Sequence, residues 1–220
     1  MSAPGALLFD FGGTLDADGL AWKDRFRRLF VEEAGVAPEG FDRAFYDADD
    51  ALVGAVPAEL PFSETVRRLA RGVAEKLSCP EAAARVAERF LADAHRSLAS
   101  SRDVLERLSE RYRLGIVSNF YGNLEAVCRE TGLAPHLTAA VDSTVVGATK
   151  PDPRIFRAAL SAVSALPGEA VFVGDSLPRD MAGARSLGMA HVWVRSGDGS
   201  PCCPGDRVIA SVRELAGVLP

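Results

Sequence analysis

The sequence predicts an α/β fold in which a parallel sheet carries helices on both faces and an all-helical block follows the first strand. Short apolar runs such as residues 6–9 end abruptly in polar residues and are too short for helices, so they are typical of strands buried on both faces. From residue 101 onward such runs alternate with helix-like segments. No segment between residues 16 and 100 has the alternating pattern of a strand.

Composition and charge exclude several classes of protein. The 220 residues are 48% hydrophobic and 25% charged, which is enough for a sizeable core. A formal net charge of -5 argues against a nucleic-acid partner but allows a locally positive site for an anion. Apolar runs are far shorter than a bilayer span, and no basic segment precedes an apolar core at the N-terminus. We therefore expect no membrane partner and a soluble, cytoplasmic protein.

The four cysteines, Cys79, Cys128, Cys202 and Cys203, form no C-x-x-C pair, and no histidine lies at a zinc-ligand spacing from them. One interpretation of the adjacent pair, Cys202 and Cys203, is a redox or metal-binding function. We expect free thiols in a reducing compartment.

The helical block begins with Trp22, Phe26 and Phe30, which recur at helical spacing until Gly35 ends the segment. Three further helices are predicted over residues 41–53, 65–77 and 81–98. We expect residues 16–100 to form a domain of their own, and residues 1–15 and 101–220 to form the α/β core domain.

Strands and helices alternate regularly in the second half of the chain. Strands are predicted at 114–119, 137–142, 170–175 and 190–194, and helices at 104–112, 124–131, 153–163, 179–187 and 211–219. This alternation indicates parallel pairing with right-handed crossovers.

Polar side chains follow the predicted strands where each strand ends: Asp10, Ser118, Asp175 and, in a following loop, Lys150. Because the carboxyl ends of parallel strands share one edge of a sheet, these side chains are expected to converge. Clustered carboxylates, with Asp180 added, repel one another unless a cation lies among them, and their hard oxygen atoms suit Mg²⁺. Such a site is typical of attack on a phosphoryl group.

Four short motifs in this order resemble those of the haloacid dehalogenase-like (HAD) hydrolase superfamily. The motifs are Asp10-Phe11-Gly12-Gly13-Thr14, Ser118-Asn119, Lys150-Pro151-Asp152-Pro153, and Gly174-Asp175-Ser176 with Asp180. The resemblance covers nearly the whole chain. It implies a Rossmann-like three-layer core, with residues 16–100 as an inserted α-helical cap domain that closes over the site and chooses the substrate.

The resemblance also implies the reaction, hydrolysis of a small phosphorylated metabolite. Asp10 would be the nucleophile and would form an aspartyl-phosphate. Ser118 and Asn119 would bind the transferring phosphoryl group. Lys150 would neutralise charge between the nucleophile and the phosphate.

A magnesium site is implied in the same way. Its ligands would be the carboxylates of Asp10 and Asp175 and the main-chain carbonyl of Gly12. Asp180 would hold the metal from just outside, or through water.

One departure from the family pattern concerns proton transfer. Phosphatases of the family usually carry a second aspartate two residues after the nucleophile, where it protonates the leaving oxygen and then activates water. This chain has Gly12 there. Losing such a group costs about 10²–10⁴ in rate, or roughly 3–5 kcal/mol of barrier. Asp16, Asp18 or a residue of the cap are the candidates to replace it.

The sequence is compatible with three other functions. The chain is alternatively a non-catalytic phosphate-binding or regulatory protein that has lost its acid/base. A carbon–phosphorus hydrolase would need a cap lysine as Schiff base, for which Lys23 and Lys76 are the candidates. A carbon–halogen hydrolase needs no metal, and the paired acids Asp175 and Asp180 argue against it.

Overall fold

The central feature of the structure, a computed structural model, is a parallel sheet in the order β3-β2-β1-β4-β5-β6. The structure describes residues 4–35, 39–196 and 207–219, so Cys202 and Cys203 lie outside the described residues. The strands are β1 (Ala6–Phe9), β2 (Arg113–Ser118), β3 (Ala139–Asp142), β4 (Ala170–Gly174), β5 (Ala190–Val194) and β6 (Arg207–Ile209). The predicted parallel α/β fold is confirmed.

Strand β1 is buried on both faces, as its unbroken apolar sequence indicates. Leu7 and Phe9 point into the larger of two apolar clusters, and Ala6 and Leu8 into the other. Because β1 lies between β2 and β4, its C-terminal end is close to the ends of both neighbours. This central place puts Asp10, the residue after β1, in the middle of the carboxyl edge.

Helices cover both faces of the sheet. Their bounds are α1 (Trp22–Ala34), α2 (Phe41–Asp50), α3 (Phe62–Lys76), α4 (Ala83–Ser109), α5 (Leu124–Glu130), α6 (Ser143–Val146), α7 (Pro153–Ala162), α8 (Ala182–Ser186) and α9 (Leu215–Val218). Helix α1 ends as predicted, at Gly35 in the left-handed conformation. We call α1, α2, α3 and the first half of α4 the helical block. No helix within the described ranges is long and apolar enough to cross a membrane.

Helix α4 is one continuous helix of 27 residues, so the prediction of separate helices over 81–98 and 104–112 is wrong. Leu98, Ser101 and Leu105 are buried at helical spacing across the supposed break. The Ser101 hydroxyl donates a hydrogen bond to the Leu15 carbonyl at 2.7 Å and does not cap a new helix. The predicted division into two domains after residue 100 therefore falls inside α4, and it stays a prediction.

Local geometry also differs near the C-terminus. The predicted helix over 179–187 begins as a π-helical turn, Leu177–Met181, before α8. The predicted helix over 211–219 consists of a 3₁₀ turn, Val212–Glu214, followed by α9. Strand β6 and helix α6 are too short to show a period, and they were not predicted.

Candidate active site

A cavity of about 290 Å³ lies between the carboxyl edge of the sheet and the helical block. Asp10, Ser118 and Lys150 line it from the core, and Trp22 and Asp49 line it from the helical block. The position of Asp10 is fixed by its backbone N–H, which continues the sheet pattern by donating to the carbonyl of Val173 at 2.9 Å. Residues far apart in sequence thus share one concave surface.

Two side chains donate hydrogen bonds to one oxygen atom of Asp10. Oγ of Ser118 lies 3.0 Å, and Nζ of Lys150 lies 2.6 Å, from Oδ1 of Asp10. All three side chains are buried. The arrangement orients the carboxylate and places a positive charge and a hydroxyl donor beside it.

Asn119 holds Lys150 in place. Its Oδ1 accepts a hydrogen bond from the Lys150 N–H at 2.7 Å, and its Nδ2 donates to the Lys150 carbonyl at 3.2 Å. Asn119 also lines the cavity, so the predicted binding of a phosphoryl group by this residue stays a prediction. Its observed contacts fix the backbone from which the Lys150 ammonium projects.

Three carboxylates form a cluster beside this arrangement. Oxygen atoms of Asp10, Asp175 and Asp180 all lie within 4.8 Å of one another. Asp175 accepts a hydrogen bond from the Thr14 hydroxyl at 3.2 Å, and Lys150 donates to Asp180 at 2.6 Å. The structure therefore brings together all the predicted carboxylates and the predicted lysine.

Two glycines make room for the carboxylates. A Cβ on Gly13 would lie 2.5 Å from Oδ2 of Asp175, and one on Gly174 would lie 2.5 Å from Oδ2 of Asp180. Gly13 also has a φ of +95°, which L-residues rarely adopt. The glycines of the first and fourth motifs thus have a steric role in building the cluster.

With all three carboxyl groups ionised, the cluster would carry three negative charges against the one positive charge of Lys150. Burial and the neighbouring Asp10 and Asp180 raise the pKa of Asp175 to about 8. Burial also raises the pKa of Asp180, although the Lys150 ammonium opposes that shift. For Lys150, burial acts to lower the pKa, but Asp10 and Asp180 outweigh it and raise the pKa.

The donor set fits a divalent cation. Within the described residues, the carboxylates of Asp10, Asp175 and Asp180 face one contacting ammonium, Lys150. Hard carboxylate oxygen atoms with unbalanced charge are ligands that Mg²⁺ and Ca²⁺ prefer. The acidic cluster can therefore hold a metal ion.

Neither Asp16 nor Asp18, the two predicted replacements for the missing acid, lines the cavity. Asp16 is fully buried and accepts hydrogen bonds from the Gly13 N–H, the Trp22 indole and the Arg25 guanidinium at 2.7, 2.7 and 2.6 Å. Asp18 forms a surface ion pair with Arg213 at 3.4 Å. Asp16 is thus a structural anchor for the first loop.

The cavity residues that were not predicted from the sequence include Asp49, Tyr121 and Arg179. For Asp49 a signal existed, because it follows the buried residues Phe41 and Phe45 by eight and four positions on α2. An acid on the apolar side of an amphipathic helix is unusual and indicates a special environment. Nothing in the sequence distinguishes Tyr121 or Arg179 in the same way.

The sequence model of the haloacid dehalogenase-like hydrolase family matches residues 4–188, and the chain belongs to this family. The predicted family and the predicted α/β fold are confirmed.

Among curated proteins, the chain is similar to two phosphatases. It is 38% identical over 143 residues to phosphoserine phosphatase of Thermus thermophilus, which covers 62% of this chain and 56% of that protein. It is 37% identical over 105 residues to glyceraldehyde 3-phosphate phosphatase of Pyrococcus abyssi, which covers 46% of this chain and 44% of that protein. The chain thus spans about half the length of these relatives.

Solved structures share the fold along almost the entire chain. A HAD phosphatase from Thermococcus onnurineus matches with a TM-score of 0.63 and 24% identity, covering 97% of each chain. A 2-haloacid dehalogenase from Pseudomonas syringae matches with a TM-score of 0.55 and 25% identity, covering 98% of each chain. Proteins named for two different reactions therefore share this architecture, and the chemistry has to be argued from the site.

Proposed function

We propose that the chain is a phosphatase that uses Mg²⁺ and hydrolyses a small phosphorylated metabolite through an aspartyl-phosphate on Asp10. The observation that carries this proposal is the convergence of Ser118 and Lys150 on one oxygen of Asp10, beside three clustered carboxylates. Asp10 would attack phosphorus with a carboxylate oxygen. Ser118 and Lys150 would hold the phosphoryl oxygen atoms and offset their charge.

The metal ligands in this proposal are the carboxylates of Asp10 and Asp175 and the carbonyl of Gly12, with Asp180 supporting them. A divalent cation bound there would balance the negative charge of the carboxylates and the phosphate. Asp180 also accepts the Ser176 N–H at 2.9 Å, so its carboxylate is held firmly between the backbone and Lys150. Asp180 would thereby keep the Lys150 ammonium directed at Asp10.

The comparisons support the choice of reaction. Both curated relatives are named as phosphatases of small phosphorylated compounds. The helical block would act as the cap that closes over the cavity and selects the substrate. A cytoplasmic location remains part of the proposal, and the buried thiols of Cys79 and Cys128 are free.

The carbon–phosphorus alternative has little support at its candidate lysines. A Schiff-base lysine needs a lowered pKa, but the hydrogen bond to Asp42 at 3.0 Å raises the pKa of Lys23. Lys76 is exposed near the end of α3 and does not line the cavity. The carbon–halogen alternative needs no metal, so it gives the three clustered carboxylates no role as ligands of a cation.

The remaining rival is a protein that binds phosphate compounds without turnover. The test is release of phosphate from para-nitrophenyl phosphate and acetyl phosphate with Mg²⁺, comparing the unmodified protein with Asp10→Asn. Lys76→Met is the matched surface control. Turnover that Asp10→Asn abolishes and Lys76→Met preserves supports the phosphatase. Binding of magnesium and phosphate without turnover of either substrate would favour the rival.

A further inference from the structure

The proposed phosphatase has Gly12 two residues after Asp10, where the family resemblance leads us to expect an aspartate, so a proton for the leaving group has to come from elsewhere. Outside the metal cluster, two described carboxyl groups line the cavity, Asp24 and Asp49. Asp24 is exposed and forms a surface ion pair with Arg27 at 3.3 Å. Asp49 is largely withdrawn from solvent, so it is the stronger candidate for proton transfer.

Asp49 is held in the cavity wall by a contact between the helical block and the core. Its Oδ1 accepts a hydrogen bond from the hydroxyl of Tyr121 at 2.5 Å. Tyr121 follows the Ser118-Asn119 motif, is buried, and accepts a backbone hydrogen bond from Gly54 at 3.1 Å. The Asp49 carboxyl is therefore fixed on the helical side of the cavity that Asp10 lines from the core.

The surroundings of Asp49 favour its protonated form. Burial raises the pKa of Asp49, and the neighbouring charge of Asp50 adds to this shift. The hydrogen bond from Tyr121 and the positive charge of Arg179 oppose it. A carboxyl group that keeps its proton to higher pH than an ordinary aspartate is suited to protonate a leaving oxygen.

We propose that Asp49 is the general acid and base of this site. It would perform the proton transfer that Gly12, which has no side chain, cannot perform. The inference rests on the phosphatase function proposed above. In the first step, an Asp10 oxygen bonds to phosphorus while the ester P–O bond breaks, and the Asp49 proton passes to the departing oxygen. The product alcohol leaves neutral, and Asp49 is left as a carboxylate.

The second step regenerates both residues. Asp49 accepts a proton from water as the water oxygen attacks phosphorus and the bond between phosphorus and Asp10 breaks. Inorganic phosphate, the Asp10 carboxylate and the protonated Asp49 result, so atoms and charge balance over the cycle. Tyr121 is a positioning residue, since its hydroxyl orients the Asp49 carboxyl.

The experiment compares Asp49→Asn with the unmodified enzyme on an alkyl phosphate, para-nitrophenyl phosphate and acetyl phosphate. Because kcat/KM reports steps up to release of the leaving group, it should fall by about 10²–10⁴ for the alkyl phosphate and least for acetyl phosphate. Slow hydrolysis of the aspartyl-phosphate should also produce a burst of para-nitrophenol. Asp47→Asn, an exposed acid on the same helix, is the matched control and should change neither readout.

A second variant guards against misfolding. Tyr121→Phe keeps the carboxyl and removes a hydrogen bond that lowers its pKa, so the alkaline limb of kcat/KM should move to higher pH. Equal losses on all three substrates without a burst, or an unmoved alkaline limb, would overturn the inference and leave a structural contact. Absence of turnover by the unmodified enzyme would instead refute the proposed phosphatase itself.

Discussion

The indole ring of Trp22 occupies the space into which a side chain at Gly12 would project. A Cβ on Gly12 would lie 3.1 Å from Nε1 of Trp22. The ring cannot move away freely, because Nε1 donates to Asp16 at 2.7 Å and the ring packs against Phe90 with centroids 5.2 Å apart. At Gly12, the space beside the backbone is therefore filled by the Trp22 ring, which packs the first loop against the helical block.

The first prediction follows from that contact. Introducing the expected acid with Gly12→Asp should not raise turnover of alkyl phosphates, because the new side chain would be crowded against Trp22, which is itself held by Asp16. We expect a loss of about 1–3 kcal/mol in the free energy of unfolding, measured by denaturant titration. Gly12→Ala, which adds the Cβ without the acid, should lose a comparable amount. A large gain in rate for Gly12→Asp would contradict the inference about Asp49.

The second prediction concerns Lys150. Replacing it with Met leaves Asp10 and Asp180 buried without their counter-charge, so the free energy of unfolding should fall by about 3–5 kcal/mol in the absence of metal. Phosphatase turnover should fall by roughly 10³ or more, because a charge-stabilising donor is lost. Lys76→Met should leave both quantities unchanged. Equal stability of the two variants would mean that the ion pairs at 2.6 Å contribute little.

The third prediction tests the anchor below the site. Asp16 and Arg25 form a buried ion pair with side chains 0% and 2% exposed, and the Arg25 guanidinium lies 3.7 Å from the ring centroid of Phe90. Arg25→Ala should lower the free energy of unfolding by about 3–5 kcal/mol, because it strands a buried carboxylate. Arg28→Ala removes an exposed pair with Asp93 and should cost less than about 1 kcal/mol. Thermal or chemical unfolding of both variants decides the point.

The fourth prediction concerns metal and pH. The folded pKa of Asp175, about 8, exceeds its ordinary value of 3.8, so the metal-free fold loses stability as pH rises between these values. Asp175→Asn should therefore stabilise the metal-free protein, on the order of 1 kcal/mol or more at neutral pH. The gain should shrink as pH falls toward 4.

Magnesium should stabilise the unmodified protein more than it stabilises the Asp175→Asn variant. It should raise the melting temperature of the unmodified protein by preferential binding to the folded state, and chelation should reverse that rise and stop turnover. Asp175→Asn should show little or no rise. A magnesium response that persists undiminished in this variant would place the cation outside the proposed cluster.

The amino-acid sequence by itself determined the parallel α/β fold, the position of the helical block and the polar residues at the strand ends. These features are local: an apolar run, its length and the residue that ends it are visible in a short stretch of chain. Because parallel strands end along a shared edge, the meeting of Asp10, Lys150 and Asp175 followed from topology.

Only the tertiary structure decided what depends on packing between distant segments. Helix α4 continues through Ser101, whose hydroxyl donates a hydrogen bond to the distant Leu15 carbonyl, and the buried Asp16 is paired with Trp22 and Arg25 from the next helix. The contact of Asp49 with Tyr121 joins residues 72 positions apart. The sequence alone does not distinguish an aspartate that is solvated from one that is paired or lines a cavity. The burial and the charge of its carboxyl group are set by partners that come from other elements of the fold.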